Sequence, residues 1–167
     1  FTVAGSYTFL SDASFNGLLN ITSTGSATVG SGINTILNGD LTSSGILNSM
    51  GSTTLTGNVA QTFSLINAVS TFALIVNFNG TVPPVFNSTS APQFAYLNIN
   101  NTGGVSPSVG WTVNAGFTVG AGASFHGGVS THNFLGNVSN NGTITGSGRF
   151  NFIPSTAATV NLGTAFS

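Results

Sequence analysis

Apart from two tyrosines, five side chains carry an ionisable group: Asp12, Asp40, His126, His132 and Arg149. Glycosidases use two carboxylates about 5–9.5 Å apart, and nothing in the spacing of the two aspartates brings them together. The histidines flank Gly127-Gly128, but a metal site needs further ligands, and the chain has neither Cys nor Glu. The sequence therefore predicts no catalytic residue, no metal ligands and no cofactor, and we interpret the protein as a non-enzyme.

The same five residues have structural interpretations. Asp40 lies in a turn-like Asn38-Gly39-Asp40, so we expect its carboxylate to bond its own backbone, and we expect the same of Asp12. The histidines are predicted to lie in loops or on a strand face. For Arg149 three possibilities stay open: a bond to either aspartate across neighbouring turns, a contact at a subunit junction, or simple solvation.

Charge is almost absent from the chain. Charged residues make up 2% of the sequence, against about 25% in a typical globular protein, and Gly, Asn, Ser and Thr replace them. Nucleic-acid binding and a basic membrane-surface patch both need several Lys or Arg, so neither is expected. The 14 Phe residues argue against disorder, because disordered chains lack aromatic residues.

Apolar residues alternate with polar ones along the whole chain. Trp111-Thr112-Val113 shows the pattern, as do Phe94 and Tyr96, followed by Leu97 and Ile99 after a one-residue shift. Gly-Ser, Asn-Gly and Gly-Gly turn signals separate these segments. No window has the apolar spacing of a helix. The sequence therefore predicts an all-β fold.

The chain also resembles itself. Leu37–Gly45 matches Phe134–Gly142 at an offset of 97 residues, with apolar residues opposite apolar ones and Gly opposite Gly. We therefore predict a first β unit over residues 1–96 and a second, incomplete unit over 97–167, in one continuous structure. The chain begins and ends at non-equivalent points of this repeat. That pattern fits an excerpt from a longer array, or a subunit completed by a neighbour.

Two architectures suit strands of this length and spacing. A β-solenoid of short stacked strands would fit about four coils into each unit, whereas a β-sandwich would fit about seven strands. We favour the solenoid, because its side chains stack on equivalent residues. Uncharged Asn, Ser and Thr tolerate such stacking, while like charges about 4.8 Å apart would repel.

The most apolar stretch is Phe63–Phe78. Polar residues interrupt it, so it falls short of the ~18 apolar residues of a spanning helix, and we predict no transmembrane segment. Its centre, Thr71–Val76, reads as a buried strand. Sheet edges without Lys promote strand addition, and we name this segment as a possible assembly strand through Phe72, Leu74, Ile75, Val76 and Phe78.

Two segments resemble a known class of proteins. Val76–Thr81 leading to Phe94–Asn101, and Leu135–Ile144, resemble the "FNG…FYNLTINN" and "GNWTNNGTF" signatures of repetitive surface proteins common in Bacteroidota. The resemblance covers about Ile21 to Thr159. It implies a bacterial, adhesin-like chain at the cell surface, of a kind often exported by the type IX secretion system. The sorting domain of that class is not visible in these residues, so this export route has no support here.

The expected function is a structural component of an extracellular fibre, filament or surface adhesin. One alternative is a filament subunit that polymerises by strand addition or head-to-tail stacking. Another is an ice- or carbohydrate-binding solenoid, although no regular Thr-X-Thr pattern is found, and Tyr7, Tyr96 and Trp111 are expected to be buried.

The expected partners are copies of the chain or adjoining repeats, and host or surface glycans. Contacts between such uncharged surfaces should respond little to salt or to pH between about 3 and 10. The Asn-X-Ser/Thr pattern marks possible glycosylation at Asn20, Asn79, Asn87, Asn100, Asn137 and Asn141.

Overall fold

A computed structural model describes residues 1–66, 69–154 and 156–167, and these residues form strands and turns without a helix. In chain order the strands are β1 (Thr2–Val3), β2 (Ser6–Phe9), β3 (Ala13–Phe15), β4 (Leu19–Ile21), β5 (Ser26–Val29), β6 (Asn34–Leu37), β7 (Leu41–Ser43), β8 (Ile46–Ser49), β9 (Ser52–Leu55), β10 (Thr62–Leu65), β11 (Val69–Phe78), β12 (Val85–Phe86), β13 (Gln93–Ile99), β14 (Thr112–Val119), β15 (Ser124–His126), β16 (Thr131–Phe134), β17 (Asn137–Asn140), β18 (Thr143–Thr145), β19 (Arg149–Phe152) and β20 (Val160–Asn161). The prediction of an all-β fold is confirmed.

The strands stack in parallel, each on a strand from one turn earlier in the chain. Paired residues are 18 apart at the closest, as in Thr2 and Asn20, and 23 apart at the widest, as in Val69 and Ile46. The result is a β-solenoid of about seven turns, which confirms the predicted architecture. The sandwich alternative is excluded, since it requires antiparallel sheets.

Each coil presents three faces. The first face contains β1, β4, β7, β10 and β12, and further along the chain its place is taken by the pair β15–β18. The second face runs from β2 through β5, β8, β11, β13, β14 and β16 to β19. The third face begins with β3, β6 and β9 and ends with β17 and β20.

In the middle of the stack the second and third faces merge. β11 pairs with both β8 and β9, and β14 pairs with both β16 and β17, so single long strands cross the corner. The register shifts at this corner, between Phe94 and Tyr96 in β13. Phe94 and Leu97 therefore point inward while Tyr96 points outward. The sequence placed the shift one residue later, with Tyr96 on the Phe94 face, and that expectation was wrong.

The core differs along the axis. We call residues 19–55 the aliphatic segment, whose inward residues include Ile21, Val29 and Leu41 together with buried hydroxyl side chains. We call residues 63–152 the aromatic segment, whose buried rings are Phe63, Phe72, Phe78, Phe86, Phe94, Trp111, Phe117, Phe125 and Phe134. Inward residues alternate with outward ones in both segments, as the pleat of a strand requires.

Close stacking at the corners depends on glycine. Gly57 and Gly80 lie on neighbouring coils with φ of 59° and 91°. A Cβ at Gly80 would collide with the carbonyl oxygen of Thr56 and with the backbone of Gly57. Any other residue at position 80 would therefore combine backbone strain with a clash.

The stack continues across the predicted boundary at residue 96, because β13 spans it and pairs with strands on both sides. Leu41, which the 97-residue offset matches with Val138, lies in β7 on the first face, whereas Val138 lies in β17 on the third. The offset thus preserves the inward direction of a residue but not its face. The division into units 1–96 and 97–167 stays a prediction about the sequence.

Candidate functional site

The two carboxylates bridge neighbouring coils. Asp12 Oδ1 accepts from the Asn34 backbone N–H at 2.8 Å, and its Oδ2 accepts from Asn34 Nδ2 at 3.1 Å. These two bonds hold the pKa of the exposed Asp12 carboxyl below its usual value. Asp40 Oδ1 accepts from the Thr62 backbone N–H at 2.7 Å. The expectation that each aspartate bonds its own turn was wrong, because in a solenoid the nearest free N–H belongs to the next coil.

The two histidines have different surroundings. His126 is exposed on β15 and bonds Thr145 Oγ1 through Nδ1 at 2.7 Å. His132 is fully buried in β16, where its Nε2–H donates to the Gly127 carbonyl at 2.9 Å and its Nδ1 accepts from the Trp111 backbone N–H at 3.2 Å. Burial lowers the His132 pKa, and the bond to Gly127 opposes the shift. His132 is therefore a core residue held in its neutral form.

Arg149 is exposed on β19, at the opposite end of its sheet from β2. Five strand spacings, or about 24 Å, separate its coil from the coil of Asp40, and Asp12 is farther still. A bond to either aspartate within the chain is therefore excluded. Among residues 1–66, 69–154 and 156–167, no group of three His, Cys, Asp or Glu side chains could hold a metal ion. The same residues include no helix that is long and apolar enough to cross a membrane.

Rows of uncharged polar side chains run along the outside. On the second face the outward row is Thr8, Thr28, Asn48, Thr71, Gln93, Thr112, Asn133 and Asn151. On the third face it is Thr54, Asn77, Asn98, Thr118, Ser139 and Asn161. Amides bond along these rows: Asn98 Nδ2 donates to Asn77 Oδ1 at 2.9 Å, and Asn151 Nδ2 donates to Asn133 Oδ1 at 2.8 Å. The outer surface is thus a lattice of oriented amides and hydroxyls.

One aromatic ring lies within this lattice. Tyr96 is 46% exposed, and its ring reaches across to the next strand, where a Cβ at Gly116 would lie 2.9 Å from its Cδ1 and 3.2 Å from its Cε1. Tyr7, in the first coil, is also exposed, whereas Trp111 is buried. The expected burial is confirmed for Trp111 and wrong for both tyrosines.

Two open depressions mark the surface. One, of about 250 Å³, is lined by Thr28, Asn48, Ser49, Met50, Thr71 and Ala73. The other, of about 290 Å³, is lined by Asn140, Asn141, Gly142, Asn161, Gly163 and Thr164. Neither contains an acid, a base or a nucleophile activated by a base, so neither supports covalent or acid–base chemistry.

The possible assembly strand lies inside the stack. β11 is paired with β8 and β9 on one side and with β13 on the other, so its backbone does not form an open edge. Phe72, Val76 and Phe78 are buried, Leu74 is exposed and Ile75 is half-buried. Leu74 and Ile75 are therefore the residues of this set that can contact a partner. An assembly role for the segment stays a prediction.

The possible glycosylation sites lie on outward positions. Asn87, Asn100, Asn137 and Asn141 are exposed, while Asn20 and Asn79 are half-buried. Asn100 Nδ2, the atom that would carry a glycan, donates to Asn79 Oδ1 at 3.2 Å. Attachment at Asn100 would replace one of the two hydrogens on that nitrogen, and modification of all six sites stays a prediction.

Buried amides at the corners were not anticipated. Asn101 Nδ2 donates to the carbonyls of Asn79 and Val82 on the preceding coil, and its Oδ1 accepts from Gly103 N–H. Asn140 makes the same three kinds of bond, to Leu162, Ala165 and Gly142. Gln61 serves another corner, accepting from Gly57 N–H and donating to two carbonyls. The Asn-X-Gly spacing shared by Asn101 and Asn140 was the signal that could have revealed them.

No protein family, curated protein or solved structure matches this chain.

Proposed function

We propose that this chain is a structural segment of an extracellular fibre, filament or cell-surface adhesin, with no catalytic role. The observation that carries the proposal is the uncharged polar lattice, which repeats coil after coil over a continuous parallel stack. A surface of this kind can contact neighbours along its whole length without opposing charges. It has the chemistry of a building element rather than of a localised reaction centre.

The parallel stack supports this role physically. Each coil is bonded to the next by backbone ladders and by an inner column of apolar side chains, so the stability of the array grows with each added neighbour. Contacts through neutral amides and hydroxyls have little Coulomb energy for salt to screen. Such a segment would keep its associations in media of varying ionic strength.

The resemblance to Bacteroidota surface repeats supports a bacterial, cell-surface location. Its two segments map onto β11 and β13, and onto β17 and β18, which lie near the middle of the stack and towards its later coils. The matched residues include Asn77 and Asn98 of the outward row. The resemblance thus includes surface positions as well as core positions.

Immunogold electron microscopy of intact cells of the source organism tests the proposal. We expect an antibody raised against the folded chain to label material outside the cell envelope, and to label permeabilised cells no more strongly. Pre-immune serum and an antibody against a cytoplasmic protein are the controls. Label that appears after permeabilisation alone would overturn the proposal.

A second candidate is a subunit that polymerises end to end. In the described part of the chain β2 pairs with β5 alone and β19 with β16 alone, so each has an edge that can accept a further strand. An adjoining coil, from the same chain or from another copy, would fill that edge. Full dissociation in denaturant followed by mass measurement separates the two candidates. A polypeptide of 16.7 kDa plus any glycan indicates a subunit, and a mass of hundreds of kDa indicates a longer repeat protein.

A further inference from the structure

The aromatic ring on the outer lattice belongs to a defined patch. We call the outward residues Leu74, Ile75, Asn77, Tyr96, Asn98 and Thr118 the Tyr96 strip. They lie on three successive strands, β11, β13 and β14, at and beside the merged corner. Ile75 is paired with Tyr96, and Tyr96 with Gly116. The side chains of Ile75 and Tyr96 therefore form an apolar surface next to the row of amides.

The ring of Tyr96 is held in place by the sheet. Because Gly116 has no side chain, the ring lies across the neighbouring strand, while nearly half of the side chain stays exposed. Leu74, at 37% exposure, extends the apolar surface on the preceding coil. The strip therefore presents a small apolar platform that needs no rearrangement to receive a ligand.

Oriented polar groups border this platform. Asn77 Nδ2 donates to Thr54 Oγ1 at 3.3 Å and Asn77 Oδ1 accepts from Asn98 Nδ2, so both amides are fixed with the same direction along the axis. Each amide nitrogen has two N–H groups and uses one of them in the row. The second N–H, together with the Thr118 hydroxyl, is placed to bond a hydroxyl-bearing ligand.

Charge limits what the ligand can be. Residues 41–125 contain no Asp, Glu, Lys, Arg or His, so the three strands that carry the strip offer no counter-charge to an anion or a cation. A ligand with many hydroxyls, an apolar C–H face and no net charge matches these groups. Protein interfaces instead bury roughly 800 Å² per partner around an apolar centre, and the apolar part of this strip is a few side chains wide.

We propose that the Tyr96 strip binds a neutral polysaccharide. The C–H face of one sugar packs on Tyr96, and the hydroxyls of that sugar and its neighbours bond Asn77, Asn98 and Thr118. The inference rests on the proposed extracellular role, since that location supplies such chains, but purified protein tests it independently. If the purified protein binds polysaccharide but immunogold labelling locates the chain inside the cell, the proposed extracellular role is overturned while the binding site stands.

Affinity electrophoresis of the folded protein through gels containing laminarin, xyloglucan, galactomannan or dextran is the direct test. We expect retardation by at least one of these neutral polymers and none by alginate, which is acidic. Tyr96→Ala should weaken binding about tenfold. Gly116→Ala, whose Cβ must displace the ring, should weaken binding in the same direction.

Tyr7→Ala is the control for loss of an equally exposed ring away from the strip, because Tyr7 is also 46% exposed but packs against Phe1 and Phe9 in the first coil, in register with the inward residue Ala27. It should leave binding unchanged, and circular dichroism should show that all three variants remain folded. The proposal is overturned if none of the neutral polymers binds, if alginate binds more tightly, or if Tyr96→Ala binds like the parent. It also fails if Tyr96→Ala abolishes self-association seen by sedimentation, which would make the strip a contact between copies.

Discussion

The aliphatic and aromatic segments build the same coil from different side chains. No aromatic residue occurs between Phe15 and Phe63, and the interior of the aliphatic segment includes the buried hydroxyls of Thr35, Ser43 and Ser49. The aromatic segment packs rings against one another, as in the stacked pair Phe72 and Phe94 at 5.2 Å. The coils have similar lengths in both segments, so coil length does not determine whether aliphatic or aromatic side chains fill the interior.

The corner between the second and third faces also differs between the aliphatic and aromatic segments. In the aliphatic segment β8 and β9 are separate strands, and Ser49 at their junction donates to the Gly51 carbonyl at 3.1 Å. In the aromatic segment β11, β13 and β14 run through the same corner, and the rings gather in these coils. The long strands through the corner thus coincide with the ring-rich middle coils, although β16 and β17 are again separate strands in a coil that buries Phe125 and Phe134.

Removing a ring should have the largest effect. Trp111 is buried against the rings of Phe78, Phe86, Phe94 and Phe125, so Trp111→Ala should lower the free energy of unfolding by about 3–5 kcal/mol. Leu41→Ala in the aliphatic segment is the comparison and should cost about 2–5 kcal/mol. Urea unfolding followed by circular dichroism measures both. A loss below about 1 kcal/mol for Trp111→Ala would show that the aromatic packing does not stabilise the stack.

Acid should act on the aromatic segment through His132. Its pKa is lowered on folding, so below the ordinary value of 6.5 the unfolded chain binds a proton that the folded chain does not. Stability is therefore present above about pH 6.5 and is lost as the pH falls, by at most about 1.4 kcal/mol per pH unit. Unfolding midpoints at pH 7.5, 6 and 5 measure the loss, in a range above the titration of Asp12.

The matched histidine variants separate this effect from others. His132→Gln should be less stable at neutral pH, because the Trp111 and Gly127 bonds are disturbed, and should show a flatter pH profile. His126→Gln leaves His132 intact and should keep the acid loss. A His132→Gln profile identical to the parent's would assign the acid sensitivity elsewhere.

The smallest effect should come from a buried hydroxyl in the aliphatic segment. Thr35 and Thr53 are paired, inward and 3% and 4% exposed. The Thr53 hydroxyl bonds Ser49 Oγ at 3.1 Å, while Thr35 Oγ1 has no hydrogen-bond partner. Thr53→Val should cost about 1 kcal/mol, and Thr35→Val should be neutral or slightly stabilising. Equal losses, measured by thermal unfolding, would show that Thr35 is bonded as well.

Alternation and the near absence of charge were sufficient to predict the all-β solenoid. They succeed because the pleat sends every second residue inward and because stacked like charges repel. The same logic extends to His132, whose spacing of two from Phe134 indicated an inward position. Its burial could therefore have been read from the sequence, although the bond to Trp111 could not, since Trp111 belongs to another coil.

The features that the sequence did not predict depend on local irregularities of the strands and on contacts between coils. A register shift reverses every later side chain, and nothing in the composition of β13 places that shift before Tyr96 rather than after it. The acceptors of Asp12 and Asp40, and the position of β11 between two paired neighbours, depend on which residues lie one coil away. These relationships follow from coil length, which varies from 18 to 23 residues.

The nearest-neighbour pairing of the coils also sets how the protein would lengthen under load. Backbone bonds lie along the axis between one coil and the next, so a pull along the axis peels a terminal coil while its neighbours remain folded. Each coil released contributes 18 to 23 residues of slack, or roughly 60–80 Å of extended chain. The solenoid would therefore extend in discrete steps under force, one coil at a time, and each released coil would refold onto the stack when the force falls.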